Sequence, residues 1–328
     1  MELDVESIER QEEYYSARHA AGWMDYWPDD KQDRVIGLIL DAGVDGTARV
    51  LEFGCGVGVF AHALKTAAPS LDVHGCDISM TGIAKSRQRA PRVSFHLLTD
   101  AGAEPPLGTF DFIYTHHVLE HVADLDAALE RIGGLLKPGG KVLHIVPCAN
   151  PGSLEHRIAC LVRDGVSREP ETRFCVDDSS HVRRPTSGEL EQAFSRHGFV
   201  LRQSRFANQF WGALEYLTAE YHRTLIRWLN PAFGVGPWAS MQLLAWLLVL
   251  LPLCWLRHMP SHILRTFRYR RSMSGKLLVY ALLPLALLLR PVSACLDKLL
   301  RTARDWEWRH HSAEPNGSEM YLLFERPR

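Results

Sequence analysis

The sequence lacks the cysteine patterns that hold small secreted domains or zinc sites together. Its seven cysteines are scattered, and no two of them form a Cys-x-x-Cys pair. An odd, dispersed set argues against both a disulfide framework and a zinc site. The first fifteen residues, MELDVESIERQEEYY, are acidic and polar, so they do not resemble a signal peptide. We therefore expect a reducing compartment, on the cytoplasmic side of any membrane that the protein meets.

The chain also has almost no net charge. Its 37 Lys and Arg residues stand against 38 Asp and Glu residues, which gives a formal net charge of −1 and argues against a nucleic-acid partner. Hydrophobic residues make up 46% of the composition and charged residues 23%, as in ordinary globular proteins. A chain of 328 residues is long enough to bury a full core in one large domain or two small ones.

Acidic residues are absent from residues 221–296, although this stretch contains nine basic residues. Since the whole chain carries −1 and this stretch carries +9, the remainder carries −10. Charge segregation on this scale predicts an anionic surface or ligand for one region alone.

Short apolar strands alternate with helical stretches between residues 48 and 147. This alternation indicates parallel strands joined by helices, in a doubly wound α/β sheet. The predicted strands are 49–53, 71–76, 93–97, 110–115 and 141–146, and the predicted helices are 58–68, 80–89, 118–122 and 124–136.

The flanking segments suggest three domains. Residues 1–45 are typical of an N-terminal helical lid and contain the aromatic residues Trp23, Tyr26 and Trp27. Residues 148–184 are rich in predicted loops, and a helix at 187–197 and strands at 199–206 and 319–325 follow. We divide the chain into a lid (1–45), a core (46–207 with 318–328) and an apolar, basic helical insertion (208–317).

A glycine-rich loop follows the first predicted strand. Glu52 is followed by Gly54, Cys55, Gly56 and Gly58, in the spacing G-x-G-x-G. Glycines allow a strand to turn sharply into a helix and a ligand to approach the backbone closely. A carboxylate at this position would repel a pyrophosphate but suits a ligand with an ammonium group. Taken alone, the loop is also compatible with a sharp turn that binds nothing.

Acidic residues also follow the next two predicted strands. Asp77, which precedes Ile78, lies 25 residues after Glu52, where an acid at a strand end accepts hydrogen bonds from ribose hydroxyls. Asp100, which precedes Ala101, follows the third strand and suits an adenine amino group. Each acid alone could be a solvated loop residue or a helix cap. Three of them at successive strand ends indicate a nucleoside-containing ligand.

These motifs together resemble a known family. The segments VLEFGCGVG, HGCDIS, LLTDA, FDFIYTHHVLEHVAD and LLKPGGKVLHIVP are similar, in this order, to the motifs of class I S-adenosylmethionine-dependent methyltransferases. The resemblance covers about residues 48–147 and resumes more weakly at 181–206 and 319–326. It implies S-adenosyl-L-methionine as the cofactor and a Rossmann-like, seven-stranded sheet whose last two strands form an antiparallel pair.

The resemblance also implies which part of the cofactor each motif contacts. The glycine loop would face the methionine part, the second strand end the ribose, the third the adenine, and the fourth the methyl-donor end. In that order the residues are Glu52, Gly54, Cys55, Gly56 and Gly58; Asp77 and Ile78; Asp100 and Ala101; and Thr115, His116 and His117.

Three histidines are candidates for catalysis. Methyl transfer from a sulfonium is an in-line displacement, so a base is needed only where the acceptor must lose a proton. The candidate bases are these histidines, His117, His121 and His181, together with Glu120. The predicted helix 118–122 would place His117, Glu120 and His121 on one face. For Glu120 and His121 we favour capping and packing, because this pair is common across the family whatever the acceptor.

No metal ion is expected. The ubiquinone-pathway O-methyltransferases, which resemble this segment, can hold a divalent cation with carboxylates here. In this sequence the first such position is His117 rather than an acid, whereas magnesium prefers oxygen ligands.

The predicted insertion is apolar as well as basic. Residues 238–256 carry no charge and reach the length of a membrane span, whereas the apolar run 277–289 is too short. A single crossing would separate two strands that must pair in one sheet. A two-span hairpin would place six basic residues in an external loop, against the positive-inside bias. We therefore expect a monotopic or peripheral protein, with residues 221–296 on an anionic membrane surface.

The sequence thus predicts methyl transfer, with oxygen the favoured acceptor atom, to a lipid, a lipid-linked molecule or another hydrophobic acceptor. One alternative is a soluble methyltransferase of a small metabolite or protein, with the insertion as a dimer interface. Another is a membrane-docked protein that binds the cofactor without turnover. A nicotinamide-dependent dehydrogenase is disfavoured, because its G-x-G-x-x-G spacing is absent. The acceptor molecule and the oligomeric state stay open.

Overall fold

The structure is a computed structural model that describes residues 8–99, 102–104, 107–220, 222–269 and 273–328. Two units are distinguished. The first consists of Met1–Pro147, Ser179–Ser204 and Met320–Arg328, and the second of Cys148–Asp178 and Arg205–Glu319. The division into lid, core and insertion stays a prediction.

A mixed sheet forms the centre of the first unit. The strands of the chain are β1 (Arg49–Phe53), β2 (Asp72–Asp77), β3 (Ser94–Thr99), β4 (Gly102–Glu104), β5 (Phe110–His116), β6 (Leu136–Pro147), β7 (Val166–Ser167), β8 (Arg173–Phe174), β9 (Val200–Ala207) and β10 (Glu319–Glu325). Their order in the sheet is β4-β3-β2-β1-β5-β6-β10-β9, and β7 and β8 form a separate pair. Strands β3, β2, β1, β5 and β6 are parallel, whereas β4 is antiparallel to β3.

The strand order confirms the predicted seven-stranded sheet with an antiparallel last pair. The end of β10 pairs with the beginning of β6, since Gly139 N donates to Arg326 O (2.9 Å) and Arg326 N donates to Gly140 O (2.9 Å). Strand β4 adds a short eighth member at the opposite edge. Because β1 lies between β2 and β5, chain order reverses there and a crevice opens beyond its carboxyl end.

Helices cover the sheet and build most of the second unit. They are α1 (Ile8–Ala20), α2 (Asp29–Asp41), α3 (Val59–Ala67), α4 (Met80–Arg89), α5 (Leu125–Leu135), α6 (Leu154–Leu161), α7 (Ser187–Arg196), α8 (Trp211–Glu220), α9 (His222–Arg227), α10 (Pro237–Tyr269) and α11 (Met273–His311). Residues 118–122 form a turn, so the predicted helix there is wrong. Helix α6 lies in the segment that we expected to be rich in loops. The apolar runs 238–256 and 277–289 belong to longer helices, α10 with 33 residues and α11 with 39.

Polar contacts fix the helices of the second unit. The buried carboxylate of Glu307, on α11, accepts the backbone N–H groups of Phe210, Trp211 and Gly212 at 2.6, 3.0 and 3.1 Å. These N–H groups lie at the beginning of α8 and would otherwise have no helical acceptor. Arg257 of α10 pairs with Asp297 of α11 at 2.7 Å. Its cationic charge is therefore neutralised inside the unit.

One helical stretch among the described residues, Pro237–Ser261, is long and apolar enough to cross a membrane by length and composition, with a mean hydropathy of 1.9. Helices of this composition also occur in the cores of soluble proteins, so length alone does not distinguish a span from a packed helix.

His144 is a titratable group at the centre of the sheet. It lies on β6, fully buried, where its Nδ1 is 2.7 Å from Thr115 Oγ1 and its ring packs 4.5 Å from that of Phe194. Its Nε2 has no hydrogen-bond partner among the described residues. Burial lowers the pKa of His144 to about 3, because a charged imidazolium would lose its hydration there.

We predict that acid destabilises the first unit through His144. The histidine binds a proton in the unfolded chain near pH 6.5 but stays neutral in the fold, so its stabilising contribution is complete above that pH and is lost as pH falls towards 3. Between pH 7 and pH 5 the free energy of unfolding should fall by about 2 kcal/mol more in the wild type than in His144→Asn. Urea unfolding at the two pH values measures this difference. Equal pH dependence in both proteins would contradict the prediction.

Candidate active site

A cavity of about 350 Å³ lies at the carboxyl ends of β1, β2 and β5. Its walls include the loop after β1, the residues after β2 and the residues after β5, together with parts of α1 and α5. The volume is in the range of ordinary small-molecule sites. Parallel strands bring their carboxyl ends to one edge, which is why motifs far apart in sequence meet here.

The glycine loop turns sharply at the edge of the sheet. Gly54 has a φ of +77°, and its N–H donates to Cys76 O at 2.8 Å. A Cβ at Gly54 would collide with the side chain of Val118. Gly54, Cys55 and Gly56 line the cavity. Gly58 instead allows close packing, because a Cβ there would lie 2.8 Å from Ser86 Cβ.

Glu52 lines the cavity from the end of β1, one residue before the last residue of the strand. Its Oε2 accepts the N–H of Ala61 at 2.8 Å and the hydroxyl of Tyr114 at 3.2 Å. Burial raises the pKa of Glu52 to about 8, so the carboxyl is mostly protonated at neutral pH when nothing cationic is beside it. An ammonium group in the cavity would favour its ionised form.

Asp77 joins the loops after β1 and β2. Its Oδ2 accepts the N–H of Gly56 at 2.7 Å, and its Oδ1 accepts the N–H of Ser79 at 2.8 Å. Burial raises the pKa of Asp77 and lowers that of His19, which lies 3.0 Å from Ser79 Oγ. Asp77 and Ile78 line the cavity. Carboxylate oxygens have further lone pairs, so Asp77 retains acceptor capacity for ligand hydroxyls.

Of the three residues predicted at the methyl-donor end, which lie at the end of β5, two line the cavity and one does not. His116 and His117 line the cavity, but Thr115 directs its hydroxyl to His144 inside the sheet. Asp100 and Ala101 lie outside the described residues.

Aromatic side chains of the N-terminal segment form another wall. Trp27 stacks on His117 with ring centres 5.6 Å apart and planes within 12°, and it meets His116 edge-on at 4.6 Å. Trp23 also lines the cavity, whereas Tyr26 is 71% exposed and does not. Two of the three aromatic residues singled out in the sequence thus reach the site.

The inner face of α1 was not anticipated. Gln11, Tyr15 and His19 line the cavity and are spaced four residues apart, so they share one face of the helix. That spacing was visible in the sequence and shows that they share a face, but it does not show what the face contacts. Arg131, on α5, also lines the cavity.

The turn after β5 holds a histidine–glutamate pair. His117 has a φ of +54°, and its Nδ1 lies 2.7 Å from Oε1 of the fully buried Glu120. Burial raises the pKa of Glu120, but the charge and hydrogen bond of His117 outweigh it and bring the pKa to about 2. Glu120 is therefore ionised, and its carboxylate can accept a hydrogen bond from His117 Nδ1. On its other side, His117 Nε2 lies 3.3 Å from Lys31 Nζ.

A distant arginine explains why the turn does not continue as a helix. The buried guanidinium of Arg183 donates to the backbone carbonyls of Leu119, Val122 and Ala123. These carbonyls would otherwise accept bonds within a helix. Val182 N also donates to Glu120 O at 2.8 Å, so the segment around His181 is anchored to the turn.

His121 and His181 pack against each other beside Glu120. Their ring centres are 4.7 Å apart, and burial lowers the pKa of His121 to about 4. His121 lines the cavity, whereas His181 does not and contacts the His121 ring. Glu120, His121 and His181 each offer one ligand atom within 4.8 Å of the others. Two nitrogens and one oxygen fit a transition metal such as zinc better than magnesium.

The comparisons with known proteins agree with this arrangement. A family model described as a methyltransferase domain matches residues 13–204, which is more than half of the chain. Trans-aconitate 2-methyltransferase from Methylobacterium radiotolerans is 30% identical over 130 residues, or 40% of this chain and 49% of that enzyme. Phosphoethanolamine N-methyltransferase 1 from Triticum aestivum is 31% identical over 121 residues, or 35% of this chain and 24% of that enzyme.

Solved structures include more distant matches. Phosphoethanolamine N-methyltransferase 2 from Haemonchus contortus, solved with phosphomonomethylethanolamine and S-adenosylhomocysteine, is 17% identical, with a TM-score of 0.47 over 91% of this chain and 53% of that one. The chain thus spans about half or less of the length of these relatives. Together, the family match over residues 13–204 and the strand order of the sheet give one conclusion. The chain belongs to the methyltransferase domain family, and its first unit has the fold of class I S-adenosylmethionine-dependent methyltransferases.

Proposed function

We propose that the protein transfers a methyl group from S-adenosyl-L-methionine to an oxygen of a hydrophobic or lipid-linked acceptor, at the cytoplasmic face of a membrane. The observation that carries the methyl-transfer part is the cavity where Glu52 and the glycine loop, at the end of β1, meet Asp77, at the end of β2. The family match supports the same reaction.

The residues present fit the cofactor. Its sulfonium supplies an electrophilic methyl group, and the chain's own contribution is to bind and orient it. Glu52 offers a carboxylate for an ammonium group, and Asp77 retains acceptor capacity for ribose hydroxyls. Trp27 and His117 form the wall beyond β5, so the acceptor would approach from their side of the cavity.

His117 is the best placed base for an acceptor that must lose a proton. It lines the cavity, and ionised Glu120 orients its ring through Nδ1 and stabilises the imidazolium formed by proton transfer. His121 is a weaker base, because burial lowers its pKa to about 4. His181 does not line the cavity and contacts the His121 ring, so we assign it a positioning role rather than that of the base.

The acceptor class rests on the second unit. Residues 221–296 contain nine basic residues and no acidic ones, and they include the apolar stretch Pro237–Ser261. A segment that is both basic and apolar suits an acceptor taken from, or anchored in, an anionic bilayer. The names of two relatives, trans-aconitate and phosphoethanolamine methyltransferases, favour a second candidate, a small polar metabolite.

We expect cofactor binding to release a proton from Glu52. At pH 7 a carboxyl with a pKa of about 8 is mostly protonated, and a ligand ammonium shifts it to the ionised form. Calorimetric titration with S-adenosylhomocysteine in two buffers of different ionisation enthalpy should show release of up to one proton per site. The affinity of the wild type should rise between pH 6 and pH 8.

The matched control is Glu52→Gln, which retains an acceptor oxygen for the N–H of Ala61. It should release no proton and should bind roughly 10- to 100-fold more weakly, because a charge-assisted hydrogen bond is lost. Equal proton release by the variant and the wild type would show that Glu52 is not the group that titrates.

Substitution of His117 should impair turnover rather than binding. Asn tolerates the left-handed backbone and can still bond to Glu120 but has no Nε2. We expect His117→Asn to lower kcat by roughly 100-fold or more at unchanged affinity for S-adenosylhomocysteine. His181→Gln should lower kcat far less. A larger loss in His181→Gln would transfer the role of base to His181.

The acceptor class is tested with methyl-labelled S-adenosylmethionine, purified protein and whole-cell extract. After partition between organic solvent and water, we expect the label in the organic phase, and excess unlabelled S-adenosylhomocysteine should prevent its transfer. Label in a small water-soluble product would replace the lipid acceptor by the metabolite. Absence of transfer to any fraction, with intact cofactor binding, would favour a binding protein without turnover.

A further inference from the structure

Helix α10 exposes an apolar face to solvent. Exposed positions recur three and four residues apart from Trp238 to Trp255, and Leu248 lies near the middle. The exposed fractions are 76% for Trp238, 78% for Leu248 and 51% for Trp255. A surface helix normally presents charged or polar residues on this side. Here residues 238–255 include no charged residue at all.

The opposite face of α10 is packed inside the second unit. Leu243, Leu247 and Leu250 are buried in one cluster with Leu217 of α8 and with Trp228. A helix attached to a protein core along its whole length cannot cross a bilayer alone. The exposed face, by contrast, extends for about 26 Å at the rise of an α-helix, and such a stripe is suited to lie along a membrane surface.

The charge of the segment that contains the stripe favours an anionic surface as its partner. No acidic residue occurs between residues 221 and 296, and Arg227 and Arg290 are exposed. Arg257 does not contribute, because it pairs with Asp297 and Glu215 inside the unit. A second copy of this chain would bring a like-charged region against its own equivalent. Anionic lipid headgroups are complementary instead.

We propose that the face of α10 from Trp238 to Trp255 inserts into one leaflet of an anionic bilayer, with the helix parallel to the membrane plane. The tryptophans at the two ends lie where indole rings favour the interface between headgroups and acyl chains. This proposal deepens the lipid acceptor proposed above. Its test, however, requires neither cofactor nor turnover.

Vesicle flotation of the full chain tests the proposal. We expect binding to vesicles of phosphatidylcholine with 30% phosphatidylglycerol, and at least tenfold weaker binding to phosphatidylcholine alone or in 0.5 M NaCl. Leu248→Glu should weaken binding at least tenfold, because it places a charge in the apolar stripe. Trp238→Glu, at one end of the stripe, should act in the same way and serves where Leu248→Glu fails to fold.

The matched control is Met80→Glu, which introduces the same charge at a 62% exposed apolar residue of α4, in the first unit. It should bind like the wild type. Wild-type binding by the folded stripe variants, or no binding of the wild-type protein, would overturn the proposal. A wild-type dimer that Leu248→Glu converts to a monomer, without vesicle binding, would assign the stripe to a second copy. If the wild-type protein does not bind vesicles but still binds S-adenosylhomocysteine, the membrane proposal fails and the proposed methyl transfer stands.

Discussion

The site depends on one pair of hydrogen bonds made by a buried carboxylate. Asp77 ends β2, yet it accepts N–H groups from Gly56, after β1, and from Ser79, at the beginning of α4. This bridge joins the two loops, in addition to the bonds that Gly54 N and Cys55 N donate to Cys76 O. Both loops line the cavity, so this bridge holds that side of its wall in place. The left-handed glycines provide the backbone shape, and Asp77 holds that shape in place.

The left-handed backbone at His117 has a similar effect on the other side. It directs the chain away from a helix and brings Glu120 back to bond with the His117 ring. The guanidinium of Arg183 then fixes the turn, because it donates hydrogen bonds to the backbone carbonyls of Leu119 and Ala123. His117 and Glu120 are thus positioned by backbone geometry and by a residue about sixty positions later in the chain. Local helix propensity has little influence there.

The sequence therefore predicted well what depends on neighbouring residues and poorly what depends on distant ones. The glycine loop, the strand-end acids and the alternation of strands and helices are local patterns, and the sheet order follows from the family's motifs. The turn at residues 118–122 depends on Arg183, which no periodicity reveals. The cavity wall from α1 was detectable by spacing, but nothing local shows which element a helix face meets. Similarly, α10 continues past its apolar run because contacts with α8 and α11 stabilise its basic end.

The position of β10 has a consequence for biosynthesis. This strand lies between β6 and β9, although residues 148–318 separate it from β6 in the chain. A ribosome that adds 5 to 20 residues per second needs roughly 10 to 30 s to pass from one to the other. During this time β6 has an open edge, with unpaired N–H and C=O groups that can template aggregation. Each nascent chain thus requires either rapid burial of that edge or a chaperone that covers it.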